Sequence, residues 1–174
     1  IAFLDGDDLW EPNHLEEISE MMTKFPNEKI YVTSFNYSDN RIVFKHPREA
    51  SVFRIENYFQ QVILEPLIWT GVIVINKNCF KKVGGFNTIL NRGEDLDLWS
   101  RLARNYPIIK SSALTATYRL EAENRSDLIT NLERTHVYYL QLSEYEYQYE
   151  YNYYENEVLR FLYTYFRSSD HTSF

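Results

Sequence analysis

The 174-residue sequence has a single cysteine, five glycines, five prolines and no block of basic residues. One cysteine, Cys79, excludes an intrachain disulfide and fits a reducing compartment, the cytoplasm. As a small apolar side chain it is expected in a core rather than as a catalytic thiol. The sequence holds no Gly/Ser linker and no internal repeat, so one compact unit is expected. Its apolar runs are short: residues 72–75 fall far below the ~20 residues that a membrane span requires, and no signal peptide is expected at the start. The chain is therefore expected in water. Against 25 acidic residues stand 18 basic ones, a formal net charge of -7. Nothing in that balance could track a phosphate backbone, which excludes nucleic acid as an expected partner. What the sequence does have is apolar and aromatic material, 44% and 17% of its residues, enough for a globular domain with a core.

Residues 1–4 (IAFL) read as a short buried strand that breaks into the acidic turn DGDD. Pro12 suits a first helical turn, and Leu15, Ile18, Met21, Met22 and Phe25 recur at helical spacing until Pro26. KIYVTSF (29–35) and RIVFKH (41–46) read as strands joined by the polar turn NYSDN, and RIENYFQQVIL (54–64) has helical spacing. TGVIVIN (70–76) is a buried strand, followed by a helix over KNCFKKV (77–83) with Gly84 and Gly85 as its stop. GEDLDLWSRLARNY (93–106) is a helix offering Leu98, Trp99, Leu102 and Tyr106 to a core, and IIKSSALTATYRL (108–120) is a strand. Alternating strands and helices predict an α/β fold with a mixed sheet flanked by helices. Past Ser126 the chain reads as mainly helical. There, YEYQYEYNYYENE (145–157) has period-two tyrosines that admit a strand, while the flanking Leu140, Leu142, Val158, Leu159 and Leu162 favour a helix. Six glutamates and one arginine between positions 133 and 157 have the wrong sign for anionic lipid, so a half-exposed packing face is expected.

Asp5, Asp7 and Asp8 crowd like charge around Gly6, which repels unless something positive lies between. Magnesium or manganese meets that need, since these hard cations take oxygen ligands and bridge carboxylates to phosphates. A D-x-D at the end of a strand lies where open α/β sheets bind ligands. A solvated turn, with Asp8 or Glu11 favouring the start of the next helix, accounts equally well for these residues alone. Glu94, Asp95 and Asp97 form a second cluster at the front of a helix, where capping by itself would be a sufficient explanation.

Taken together, the strand with D-G-D-D-x-W, the VGGFN segment with Phe86 and the later G-E-D-x-D-x-W resemble GT-A fold glycosyltransferases. The likeness is to the inverting family 2 of bacterial surface polysaccharide synthesis, and it extends from residue 1 to about Ser126. It implies that Asp5 and Asp7 contact the donor's ribose and the Mn2+ or Mg2+ that binds its diphosphate, with Asp7 the better metal ligand. By the same resemblance Asp95 is the catalytic base, Glu94 and Asp97 orient the acceptor or cap the helix, and Trp99 belongs to the core. The acceptor loops fall around Trp69, Thr70, Asn91 and Arg92. Where many relatives read Y-R-x-H with a metal-ligating histidine, this sequence has Glu121, a competent oxygen ligand. Arg119 is either a phosphate contact or half of an ion pair. His14, His46, His136 and His171 have no neighbour at metal-ligand spacing and are expected in surface or core.

The implied partners are a nucleotide-sugar donor, a UDP-sugar first among them, and a saccharide or lipid-linked saccharide acceptor. Peripheral contact with the inner face of the membrane is implied for the intact enzyme. Residues 1–126 would form the metal and acceptor part of an incomplete GT-A domain, and residues 127–174 a helical, Tyr-rich C-terminal extension. Relatives carry a nucleotide-binding half before the D-x-D. The chain is therefore expected to be a C-terminal portion, inactive alone.

Two other classes share parts of this pattern. Haloacid-dehalogenase-type phosphatases begin with a strand and D-x-D but continue D-x-D-x-[TV], where this chain has Leu9 and then Trp10. A non-catalytic cation-binding module would rest on composition alone, because DGDDLWEP lacks the spacing of an EF-hand loop. A glycoside hydrolase could use two carboxylates, but it would need neither a D-x-D nor a metal.

Overall fold

The protein was analysed as a computed structural model, which describes residues 1–40, 51–120, 131–141 and 147–169. The expected strand at 41–46, Glu121, the boundary at Ser126, His46 and His171 lie outside the described residues. Within them run β1 (Leu9–Trp10), α1 (His14–Lys24), β2 (Ile30–Tyr37), β3 (Val52–Arg54), α2 (Tyr58–Val62), β4 (Ile73–Ile75), α3 (Phe80–Val83), α4 (Glu94–Ala103), β5 (Ile108–Tyr118) and α5 (Gln148–Ser169). Single 3-10 turns occupy Thr70–Val72, Lys77–Cys79, Leu132–Arg134 and His136–Tyr139.

The strands form one mixed sheet in the order β1-β5-β2-β4. β5 is its longest strand. It pairs in parallel with β2 and antiparallel with both β3 and β1, β3 meeting Ile109, Lys110 and Ser111 and β1 meeting Ala116 and Thr117. Alternating side chains divide the core between the two faces. Ile30 and Val32 of β2, Ile73 and Ile75 of β4 and Ile108 of β5 pack with Leu98, Trp99 and Leu102 of α4. Their neighbours Tyr31, Val74 and Ile109 pack with Ile18 and Met21 of α1 on the opposite face. The predicted mixed sheet between helices is thus present. Cys79 is buried and apolar in its surroundings, as expected.

Three local expectations need correction. Residues 1–4 form no strand: Ala2 makes an isolated antiparallel bridge to Val74, while Ile1 and Leu4 stay half exposed. The neighbouring β4 is only three residues long, too short to template more pairing. The expected helix over 54–64 contracts to α2 because Arg54 joins β3 and the Asn57 side chain caps the helix by accepting from the Gln60 N–H. The strand over 70–76 begins as a 3-10 turn and becomes β4.

For the Tyr-rich segment, the helical alternative holds from Gln148 onward. Tyr153 and Tyr154 are buried against Phe59, whereas Leu159, Leu162, Tyr163 and Phe166 further along are exposed. Among the described residues no helix is long and apolar enough to cross a membrane.

Candidate active site

Three aromatic rings bring the two acidic stretches together. Phe3 meets Phe86 edge-on at 5.7 Å and Trp99 at 6.5 Å, and Phe86 meets Trp99 at 6.1 Å. Such edge-to-face contacts add specific geometry to the area they bury. Phe3 lies two positions before Asp5 of the first acidic stretch, Trp99 follows the second within α4, and Phe86 comes from the loop between. Gly84 ends α3 with a φ of +77°, a left-handed conformation that glycine adopts without strain. Arg101 of α4 then ties this loop down by donating to the carbonyls of Val83 and Gly85. Asp97 holds the same guanidinium through Oδ2, at 2.6 Å from Nη2 and 3.1 Å from Nε. Asp97 is therefore engaged within its own helix.

In the DGDD turn the Asp8 N–H donates to the Asp5 carbonyl at 3.2 Å. Asp5 and Asp7 are exposed while Asp8 is buried, its Oδ1 accepting the Arg119 N–H at 2.9 Å. Burial, with the charges of Asp7 and Asp5 adding, pushes the Asp8 carboxyl up to about 6 against the pull of Arg119. Partial loss of water raises Asp5 as well, followed by its repulsion from Asp7. Gly6 is not what permits this turn: its backbone is outside the left-handed region, and a Cβ there would meet open space. Asp8, read from the sequence as a helix-start charge, instead locks the turn to the end of β5.

Trp10 follows, stacked on His14 at 4.3 Å and donating its indole N–H to the Gly71 carbonyl at 2.7 Å. Gly71 leaves room for the Trp69 ring, which would lie 2.5 Å from a Cβ at that position. Trp69 itself is buried, 5.1 Å from both Phe35 and Tyr118. Its ring packs within the core. Thr70 is half-buried and Asn91 exposed.

Asp95 stands in the first turn of α4, half-buried, with Oδ1 accepting from the Leu96 N–H at 2.8 Å. No carboxylate caps this helix, because Gly93 occupies the cap position with a φ of +76°. Burial raises the Asp95 carboxyl above the usual carboxylate range, and the charges of Glu94 and Asp5 push in the same direction. The reach of Asp5 to Asp95 is the electrostatic trace of the aromatic bridge. Glu94 is half-buried beside it. Tyr58, Glu157 and His136 also surround this turn, and sequence spacing gave no signal for any of them.

Asp5 and Asp7 offer exposed hard oxygens whose mutual repulsion a divalent cation would relieve. Among the described residues no three His, Cys, Asp or Glu side chains form a metal-sized group. Two carboxylates without a closed cage suit magnesium or manganese, which keep water and substrate phosphates in their coordination shell. The donor set fits such an ion.

The chain matches the family model described as "Glycosyltransferase like family 2" over residues 1–161. An uncharacterized glycosyltransferase of Rickettsia conorii is 24% identical over 134 residues, covering 75% of this chain and 22% of that protein. An uncharacterized glycosyltransferase of Rickettsia felis is 26% identical over 134 residues, with the same coverage of 75% and 22%. The matched region thus spans about a fifth of the length of these relatives.

Proposed function

Because the chain belongs to glycosyltransferase-like family 2, we propose that it transfers a sugar from a nucleoside-diphosphate-sugar donor to an acceptor hydroxyl on a GT-A type of fold. The anomeric centre inverts in a single displacement, and the product is a bacterial surface polysaccharide or related glycan. A UDP-sugar is the first donor to test, with a saccharide or lipid-linked saccharide as acceptor. The observation that carries this reading is that Asp5, on the turn it shares with exposed Asp7, acts on half-buried Asp95 across the Phe3, Phe86 and Trp99 rings.

Asp5 faces the nucleotide ribose and Asp7 holds Mn2+ or Mg2+, with Glu121 as the further oxygen ligand. When bound, the cation supplies charge stabilisation for the departing nucleoside diphosphate. Asp95 takes the proton of the acceptor hydroxyl as that oxygen bonds to the anomeric carbon and the bond to the diphosphate breaks. A carboxylate raised by burial keeps a higher affinity for that proton than a solvated one. Glu94 orients the acceptor, Asp97 acts through Arg101 to fix the glycine loop, and the intact protein works at the inner face of the membrane.

The reading is tested by UDP binding to the intact protein with and without manganese. Asp7→Ala should abolish the manganese-dependent part of binding. Manganese dependence that survives the substitution would remove the D-x-D from the donor site.

A further inference from the structure

Two half-buried residues outside the acidic motifs, His136 and Glu157, lie near the turn that carries Asp95. α5 is fixed at its start by the ion pair of Glu150 with Arg104, whose Nη2 also donates to the Tyr154 hydroxyl at 2.7 Å. Tyr153 packs on Tyr58 and Phe59 of α2, at 6.2 Å and 5.6 Å. This anchoring turns Glu157 inward, with only 12% of its side chain exposed and its Oε2 3.7 Å from Nε2 of His136. The His136 ring in turn lies directly against Gly93: a Cβ at that glycine would sit 1.8 Å from Nδ1. Gly93 is the cap of α4, two positions before Asp95. The main chain strengthens the contact, since the Asn91 N–H donates to the Arg134 carbonyl at 2.7 Å and the His136 N–H to the Arg92 carbonyl at 3.1 Å.

We propose that His136 and Glu157 form a largely covered brace from the C-terminal helix onto the turn before α4, which makes both of them positioning residues for Asp95. The brace explains why α4 opens with glycine, since the same residue meets a left-handed φ and leaves room for an imidazole. Its bearing on catalysis rests on the reading of Asp95 as the base.

Charges of both signs surround the brace. Burial holds the His136 imidazole down to about 4, opposed by its N–H bond to Arg92 and the Asp97 charge, with the Arg92 charge adding to the lowering. It is therefore neutral at pH 7. Glu157 is raised by burial and by Asp95 from α4, against the pull of Arg160 on its own helix. Tyr58 of α2 feels both Asp95 and Glu157, which places the three groups within one electrostatic neighbourhood.

The test is carbon-13 NMR of the intact protein labelled in its carboxyl groups and histidine rings, with Asp95→Asn identifying the Asp95 signal by its loss. Asp95→Asn should move the Glu157 titration midpoint down. The isosteric Glu157→Gln should displace the Asp95 carboxyl and His136 ring signals, and Glu157→Asp should restore them in part. Gly93→Ala should lower Tm markedly, and in a His136→Gly background the part of that loss due to the clash with the ring should vanish, leaving the part due to the left-handed φ. A Glu157 midpoint indifferent to Asp95→Asn, with strictly additive losses in the Gly93 and His136 pair, would overturn the brace. None of these readouts needs donor or acceptor, so they stand or fall apart from the turnover measurements that test Asp95 as base.

Discussion

The acidic stretches at residues 5–8 and 94–97 hold the same number of carboxylates, yet the fold treats them differently. At 5–8 two carboxylates are exposed on a turn and the third is buried beside them, so their repulsion is left standing. At 94–97 the carboxylates sit in the first turn of a helix, where the macrodipole favours negative charge. There Asp97 is neutralised by Arg101 and Asp95 accepts a backbone N–H. One stretch retains unbalanced charge facing solvent, as a cation site requires. The other holds its carboxylates half-buried, with Asp97 paired to Arg101 and Asp95 left without a cationic partner among the described residues, as a general base requires. The charged groups are carboxylates in both stretches. The packing around them is what differs.

The sharpest test of that contrast is Asp95→Asn in the intact protein. Turnover should fall at least ~1,000-fold, because the amide cannot accept the acceptor's proton. Affinity for UDP and manganese should stay unchanged, since those contacts are assigned to the other stretch. Retained turnover would erase the distinction by removing Asp95 as base.

A smaller effect probes the second stretch by pH, through the histidine that lies against Gly93. His136 titrates near 6.5 when unfolded and is held down to about 4 in the fold. Between those values the unfolded chain binds the extra proton, so the stability from burying the neutral ring is complete above about 6.5 and is lost as pH falls through about 4. The loss is on the order of 3 kcal/mol. Urea unfolding at pH 7.5 and pH 4.5 measures it, and His136→Asn should flatten this part of the pH dependence. An unchanged slope in that variant would move the titration elsewhere and leave the second stretch without this support.

Element order and the two acidic stretches were legible because they are local patterns: helical spacing before Pro26, the glycine stop at 84, and carboxylates massed at two points. What was not legible depends on distant neighbours. Gly6 lies at the centre of the acidic turn and the backbone makes no use of its freedom, whereas Gly93 is required by a ring 43 positions further on. Trp69 reads as part of an acceptor loop, and nothing local shows that Phe35 and Tyr118 pack against its ring. Glu157 sits in a run of tyrosines and glutamates whose spacing suited strand and helix alike. Only the docking of α5 on α2 decides which glutamate turns inward. The expected strand at residues 1–4 failed for a related reason, since its apolar residues suit pairing but meet only the short β4.

The smallest predicted effect concerns what joins the two stretches. Phe86 is 37% exposed, so Phe86→Ala removes a partly covered ring and should cost about 1–2 kcal/mol, well below the loss for a fully buried phenylalanine. The informative readout is the titration of Asp95, part of whose upward shift comes from the charge of Asp5. With Phe86 gone, Phe3 loses one of its two ring partners, and the chain leading into Asp5 is less firmly held against α4. The Asp95 midpoint should then fall slightly, and Phe86→Leu, which keeps an apolar side chain there, should recover most of the stability and the midpoint. If the midpoint stays fixed while stability drops, the pairing of residues 1–2 with β4 is enough to hold the first stretch beside the second. The aromatic bridge would then contribute packing alone.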